Sequence, residues 1–248
     1  ARFTIKATDH LAREWVDTFD VFISQYNRTT HDISTDSVTL TITNFSELGF
    51  FDPDNSSSPG QGFTYNGYNY LYGGTAIFAF AEDNTATGEH GILSELLPVS
   101  PIKLSTPGEI ANRELSCSFV DSKSRLRADM FAHAWLSSSN KYFIILEYIV
   151  SNISLSKIDN AYFGLYMDYD VREESSVWYD RALWDSSSGL CYMWEQGFTP
   201  LHPAYVGIAE VLHVDVGSVI KNSTYVYPSA LGWSDSVIYG FLSGSINF

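Results

Sequence analysis

Between residues 38 and 43 this chain reads Val-Thr-Leu-Thr-Ile-Thr, a strict alternation of apolar and polar side chains. A period of two places Val38, Leu40 and Ile42 on one side of an extended backbone and the three threonines on the other. A helix would scatter the same residues around its surface, so the segment specifies a strand buried on one face. The pattern recurs. Phe3, Ile5 and Ala7 alternate with Arg2, Thr4 and Lys6 at the start of the chain. Runs rich in β-branched and aromatic residues follow at Ala76–Ala81, Ile102–Leu104, Glu114–Val120, Ala128–Leu136, Tyr142–Asn152 and Ala161–Val171. More stand at Leu190–Trp194, Tyr205–Leu212, Thr224–Tyr227 and Val237–Leu242. Turn chemistry separates them: Asp52-Pro53, Pro59-Gly60, Pro107-Gly108, Ser137–Asn140 and Ser186–Gly189. Residues 11–24 fit either period, with Leu11, Trp15, Phe19 and Phe22 at helical spacing and Val21-Phe22-Ile23 β-like. Phe50 to Gly74 reads as loops and short hairpins. About a dozen strands at this spacing, with little helix, predict an all-β fold, an antiparallel β-sandwich of jelly-roll-like form. No linker or internal repeat divides the chain. The expected organisation is an amino-terminal strand or arm over residues 1–10 and a single β-sandwich domain over 11–248.

Composition sharpens the class. The 248 residues are 45% hydrophobic, which suffices for a sizeable core. The 14 basic residues stand against 29 acidic ones, a net charge of −15 that repels a phosphate backbone and argues against a nucleic-acid partner. The longest apolar run, Tyr142–Val150, is broken by Glu147 and falls well short of the ~18 residues a membrane helix needs, so no membrane span is expected. No charged-then-apolar leader stands at Ala1, so an export signal is expected to have been removed or to lie outside the sequence. Asn27, Asn44, Asn55, Asn152 and Asn222 begin Asn-x-Ser/Thr acceptor sequences, which predict a glycosylated surface on an exported chain. Cys117 and Cys191 both lie in strand-like runs. They read either as a disulfide between neighbouring strands, the expectation carried forward, or as two buried thiols.

The chemistry-bearing residues concentrate in one place. Asp168 and Asp170 end an aromatic run at i and i+2, on one face of an extended chain, with Asp180 and Asp185 a loop away. Calcium takes six to eight oxygens in flexible geometry, and these four carboxylates, helped by Asp159 and Asn160, are candidate donors. The spacing is not that of an EF-hand loop, which requires a Gly and a twelfth-position Glu that are missing here. The same acids beside Trp178, Tyr179, Trp184, Tyr192 and Trp194 admit a glycoside hydrolase or lyase working through Asp168, Asp170 or nearby acids. Without chemistry, the tryptophans Trp178, Trp184 and Trp194 read as a sugar-stacking face. The six histidines form no HExxH pair, and neither a G-x-S-x-G elbow nor a nucleotide-binding glycine loop is present.

Several stretches resemble β-modules of large secreted bacterial surface proteins of the type that carries carboxy-terminal sorting domains. They are Thr41–Gly49, Gly62–Tyr65, Leu71–Ile77, Tyr142–Asn152, Ala161–Val171, Gly189–Met193 and Tyr205–Ala209, in that order. The resemblance implies an extracellular or cell-surface location and a β-fold, with no catalytic role. At the termini, Phe3, Ile5 and Ala7 are the buried positions of a strand that pairs either within its own chain or in the groove of a neighbouring subunit, as in donor-strand pilus assembly. The β-like end Ser236–Phe248 adds a second strand that wants a partner. The sequence therefore predicts a non-enzymatic, self-assembling filament or surface-appendage subunit, glycosylated and with calcium as its one candidate cofactor. A carbohydrate-binding or adhesive module is the alternative, and the hydrolase the third reading.

Overall fold

The computed structural model describes residues 2–8, 13–20, 27–49, 60–81, 84–88, 95–123, 125–171, 180–195, 205–209 and 234–245. In chain order the first strands are β1 (Arg2–Thr8), β2 (Glu14–Asp20), β3 (Thr30–Ser34), β4 (Val38–Thr43), β5 (Glu47–Leu48) and β6 (Phe63–Tyr65). Next come β7 (Tyr68–Asn69), β8 (Leu71–Ala81), β9 (Asn84–Thr87), β10 (Leu96–Pro98), β11 (Lys103–Ser105) and β12 (Arg113–Asp121). The remainder are β13 (Leu126–Ala134), β14 (Ile145–Asn152), β15 (Tyr162–Tyr169), β16 (Asp180–Asp185), β17 (Leu190–Glu195), β18 (Tyr205–Ala209) and one helix, α1 (Asp235–Ser243).

The all-β expectation holds: every strand pairing among the described residues is antiparallel. An eight-stranded sheet runs β15-β8-β5-β4-β6-β7, with β3 on β4 and β9 on β8. A five-stranded sheet runs β10-β12-β13-β14, with β11 on β12. Strands β16-β17-β18 form a third sheet, and β1-β2 a separate two-stranded ribbon. Alternation decides what each sheet buries. Ile42, Leu48, Leu71 and Phe78 of the large sheet join Leu115, Phe119 and Met130 of the five-stranded sheet in one core, to which Val206 of the third sheet also belongs. Phe78 and Phe119 meet across the two sheets with ring centroids 6.2 Å apart. Full burial of side chains of this size contributes about 1.5–3 kcal/mol each.

Turns fix the register. Asn66 and Gly67 take φ of 52° and 83°, the left-handed pair that a tight β6–β7 hairpin requires. Between β12 and β13 the turn closes on a single buried carboxylate, Asp121.

Several expectations need correction. The expected strand Val237–Leu242 is helix instead: residues 235–243 are helical, and the end of the β-like stretch Ser236–Phe248 lies outside the described residues. Val237 and Phe241, like Ile238 and Leu242, stand four apart and share one helical side, a spacing that β-branched and aromatic content obscured. Asp235 ties the helix to β9 by accepting from Thr85 N at 3.3 Å and Thr85 Oγ1 at 2.8 Å, and Gly244 ends it in left-handed conformation. The two periods overlapping in residues 11–24 resolve to strand over Glu14–Asp20. Strand β8 begins at Leu71 rather than Ala76, because Gly73 and Gly74 continue the pairing with β15. The expected strand Thr224–Tyr227 lies outside the described residues. Asn44 is fully buried; its Oδ1 accepts from Thr29 N at 2.8 Å and its Nδ2 donates to Asn27 O at 2.9 Å. A glycan on that nitrogen is incompatible with this fold, so Asn44 is removed from the acceptor set.

Candidate functional site

The three-stranded sheet is organised from its first hairpin. The Asp185 carboxylate accepts from Ser188 Oγ at 2.6 Å, Ser187 Oγ at 2.7 Å and Ser187 N at 3.0 Å. Bonds from Ser188 and then Ser187 hold its carboxyl down to about 2. The turn thus sets the pairing Asp185↔Leu190, Leu183↔Tyr192 and Arg181↔Trp194, and β18 continues it with Tyr192↔Gly207 and Trp194↔Tyr205. Directly opposed residues share a face, so Leu183, Tyr192, Trp194, Tyr205 and Gly207 stand together on one side of the sheet. That side faces outward: Tyr205 is 62% and Leu183 48% exposed, whereas Val206, one residue on, is 6% exposed.

Three aromatic rings form a platform on this face. Tyr192 lies 5.6 Å from Trp194 and 6.1 Å from Tyr205, and Trp194 lies 6.4 Å from Tyr205, centroid to centroid. Beside them is a cleft of about 410 Å³ lined by Leu190, Tyr192, Tyr205, Val206 and Gly207. Glycine matters there, since a Cβ at position 207 would stand 2.5 Å from Cys191 O and 3.0 Å from Tyr192 Cβ. The depression is shallow and open to solvent, so any ligand would rest mainly on the ring faces. Here Tyr192 and Tyr205, which line it, bring a hydroxyl each.

The opposite face carries acids. Asp180 and Glu195 are register partners at the far end of β16–β17 from the hairpin turn. Asp180 Oδ2 accepts from Val171 N at 3.2 Å, which brings the end of β15 and its neighbour Asp170 to the pair. Burial, opposed by the Val171 bond and reinforced by the charges of Asp170 and Glu195, raises the Asp180 carboxyl to about 6. Burial also raises Asp170. Glu195 Oε2 is fully buried without a hydrogen-bond partner. A carboxyl whose folded value exceeds its unfolded one weakens the fold while ionised, and the penalty disappears as pH falls from about 6 towards 4. Asp180→Asn keeps an acceptor for Val171 N and removes the charge. At pH 8 it is expected to be more stable than the parent by about 1 kcal/mol, a figure discounted for solvent screening at a half-exposed group. At pH 4 the two should coincide. Urea titrations at both pH values measure this, and a variant less stable than the parent at pH 8 contradicts it.

The structure sorts the residues expected from sequence. Asp168 and Asp170 alternate with buried Tyr169 and Val171, as the i, i+2 spacing predicts. Asp170 joins Asp180, and Glu195 completes the cluster, whereas Asp185 is spent on its own turn at the other end of β16. Among the described residues no group of three or more His, Cys, Asp or Glu is arranged to hold a metal ion. Trp194 is on the platform. Trp184 pairs with Cys191 and therefore faces the other way, a correction that follows from the period of two, and Trp178 lies outside the described residues. Among the described residues, Asp180 and Glu195 stand behind the sheet from the aromatic rings and bring no carboxylate pair to this face. Cys117 and Cys191 are both free. They belong to different sheets, which corrects the expected disulfide, and burial, helped by the Asp129 charge, pushes the Cys117 thiol up to about 12. Strand β1, which carries Phe3, Ile5 and Ala7, pairs within the chain, against β2 over its whole length. Asn27 and Asn152 are exposed, and Asn55 and Asn222 lie outside the described residues.

Sequence reading missed Tyr205 and Gly207 as platform members. The signal was present in the alternation of Leu190-Cys-Tyr-Met-Trp194, which places Tyr192 and Trp194 on one side, but the partner strand could not be assigned. No family model matches the chain, and no match to it exists among the curated proteins or the solved structures compared.

Proposed function

We propose that this chain is a non-enzymatic extracellular β-sandwich protein that binds carbohydrate on the Tyr192–Trp194–Tyr205 platform and serves as an adhesive module of a cell-surface structure. The observation that carries this reading is the outward set of three packed rings beside a cleft. A pyranose offers an apolar C–H face and a polar rim, which match aromatic rings that carry hydroxyl groups. Export accords with Asn27 and Asn152, both exposed and open to glycosylation. A glycan array probed with the purified chain is the first experiment; an array without a single reproducible ligand sinks the reading. Calcium remains a proposal, with Asp170 and Asp180 as the expected donors that the fold brings closest together. The pH 8 titrations above, repeated with calcium and with chelator, read it as a stabilisation that Asp180→Asn lacks.

A second reading, a self-assembling filament subunit, is favoured by the β1–β2 ribbon. It forms a sheet of its own, and Trp15 and Val16 on it are 54% and 60% exposed. Such a ribbon is suited to pairing or packing on a neighbouring subunit. Deleting residues 1–20 is expected to abolish fibres in negative-stain micrographs, and fibres that survive the deletion exclude the ribbon as the assembly element.

A further inference from the structure

The register of the three-stranded sheet sets the relief of its outward face. Towards β18, Trp194 stands opposite Tyr205, Tyr192 opposite Gly207 and Leu190 opposite Ala209. Directly opposed positions share a face with Cβ atoms about 4.5–5.5 Å apart, so their sizes decide where the face is high and where it is low. On the other side of Tyr192, towards β16, stands bulky Leu183. On β18 the face drops from the large ring of Tyr205 to Gly207, which has no side chain, and on to small Ala209. The depression lined by Leu190, Tyr192, Tyr205, Val206 and Gly207 occupies that step, with the Tyr205 ring at one end of it.

The three rings do not make a flat floor. Tyr192 is inclined 58° to Tyr205 and 35° to Trp194, and Trp194 is inclined 31° to Tyr205. Their centroids lie within the range of rings in mutual contact, so they form one continuous curved surface and not a series of separate stacking places. A flat ligand lies face-on against only one such ring at a time. A sugar laid on Tyr192 meets Tyr205 as a rising wall, and Trp194, packed against both, holds that inclination. A crystalline polysaccharide presents its sugars in one plane, which rings tilted in this way cannot match together.

Resting on the carbohydrate reading of this face, we infer that the platform receives one terminal pyranose of a neutral glycan, seated on Tyr192 in the step beside Gly207 and stopped by Tyr205, and not an internal run of a long or crystalline polysaccharide. Charge favours the neutral sugar. The face carries Arg181 and Asp185 towards opposite ends of β16, so these two give it no net charge, and the chain's −15 opposes an acidic ligand. Stacking on the ring supplies contact area, while the sugar hydroxyls stay on the side of the depression that is open to water. A site for one end unit binds weakly by itself. Such a site suits an adhesive surface, where many copies engage many glycan ends and avidity supplies the strength.

The test titrates the chain, by ligand-observed NMR, with the methyl glycosides of glucose, galactose, mannose and N-acetylglucosamine, each beside its linear hexasaccharide. At least one methyl glycoside is expected to bind, with an affinity within about twofold of its hexasaccharide, because each further ring-stacked sugar would add about tenfold. Tyr205→Ala is expected to weaken that glycoside about tenfold at an unchanged melting temperature, which places it at this step. Microcrystalline cellulose and chitin are expected not to retain the chain. Binding of hexasaccharides or array glycans but of no methyl glycoside, affinity that grows tenfold or more with length, retention on either solid, or a glycoside indifferent to Tyr205→Ala overturns the inference and leaves the carbohydrate reading standing. Failure to bind any saccharide, on the array or in solution, removes both.

Discussion

Replacing Asp121 by alanine is expected to remove about 3–5 kcal/mol of stability, enough to unfold a substantial fraction of the chain near physiological temperature. The carboxylate is fully buried at the β12–β13 turn. It accepts from Arg125 N at 2.6 Å, Leu126 N at 2.7 Å and Lys123 N at 3.2 Å, and from Arg125 Nε at 3.0 Å. Arg125 in turn lays its guanidinium 3.8 Å over the Phe80 ring of the large sheet, so this one acid joins a turn of one sheet to a strand of the other. Alanine leaves three turn N–H groups and a partly buried cation without their acceptor, and each unmet group costs about 1–3 kcal/mol. Asp121→Asn retains one acceptor oxygen and should lose roughly half as much. Urea denaturation of the two variants measures the difference; a loss below about 1 kcal/mol for alanine would show that solvent replaces the carboxylate and that the turn does not fix the sheet.

The second large effect concerns the platform. Trp194→Ala with Tyr205→Ala is expected to weaken glycan binding about a hundredfold, roughly tenfold per ring, which corresponds to about 1.4 kcal/mol each. Tyr205 is mostly exposed, so its removal should change stability by less than about 0.5 kcal/mol, whereas half-buried Trp194 carries packing as well. Tyr205→Ala is therefore the cleaner single variant, and the affinity it loses reports on the ring alone. Tyr205→Phe retains the stacking surface and separates stacking from the hydroxyl.

What the sequence disclosed follows from what is local. Val38–Thr43 was legible to the residue because alternation is written in consecutive positions, and the same holds for the alternation of Tyr192 and Trp194. Helix α1 was not, because Val237, Ile238, Tyr239 and Phe241 favour strands by composition while their spacing and the Gly244 stop serve a helix. Asn44 looked like a glycan acceptor because a tripeptide carries no record of burial. The acids were sorted by pairing that joins distant segments. Glu195 meets Asp180 across a hairpin, Asp170 arrives through Val171, and Asp185 belongs to its own turn. Cys117 and Cys191 illustrate the same limit, since strand-like surroundings do not state which sheet a strand enters.

The proposed working surface is the aromatic face and not the acid pair. Isothermal titration of an array-selected oligosaccharide into the parent, Tyr205→Ala and Asp180→Asn tests it most directly. Binding to the parent is expected, with about tenfold weaker binding to Tyr205→Ala, and unchanged affinity with no cleavage of the sugar for Asp180→Asn. Affinity that is untouched by Tyr205→Ala and lost in Asp180→Asn would contradict it.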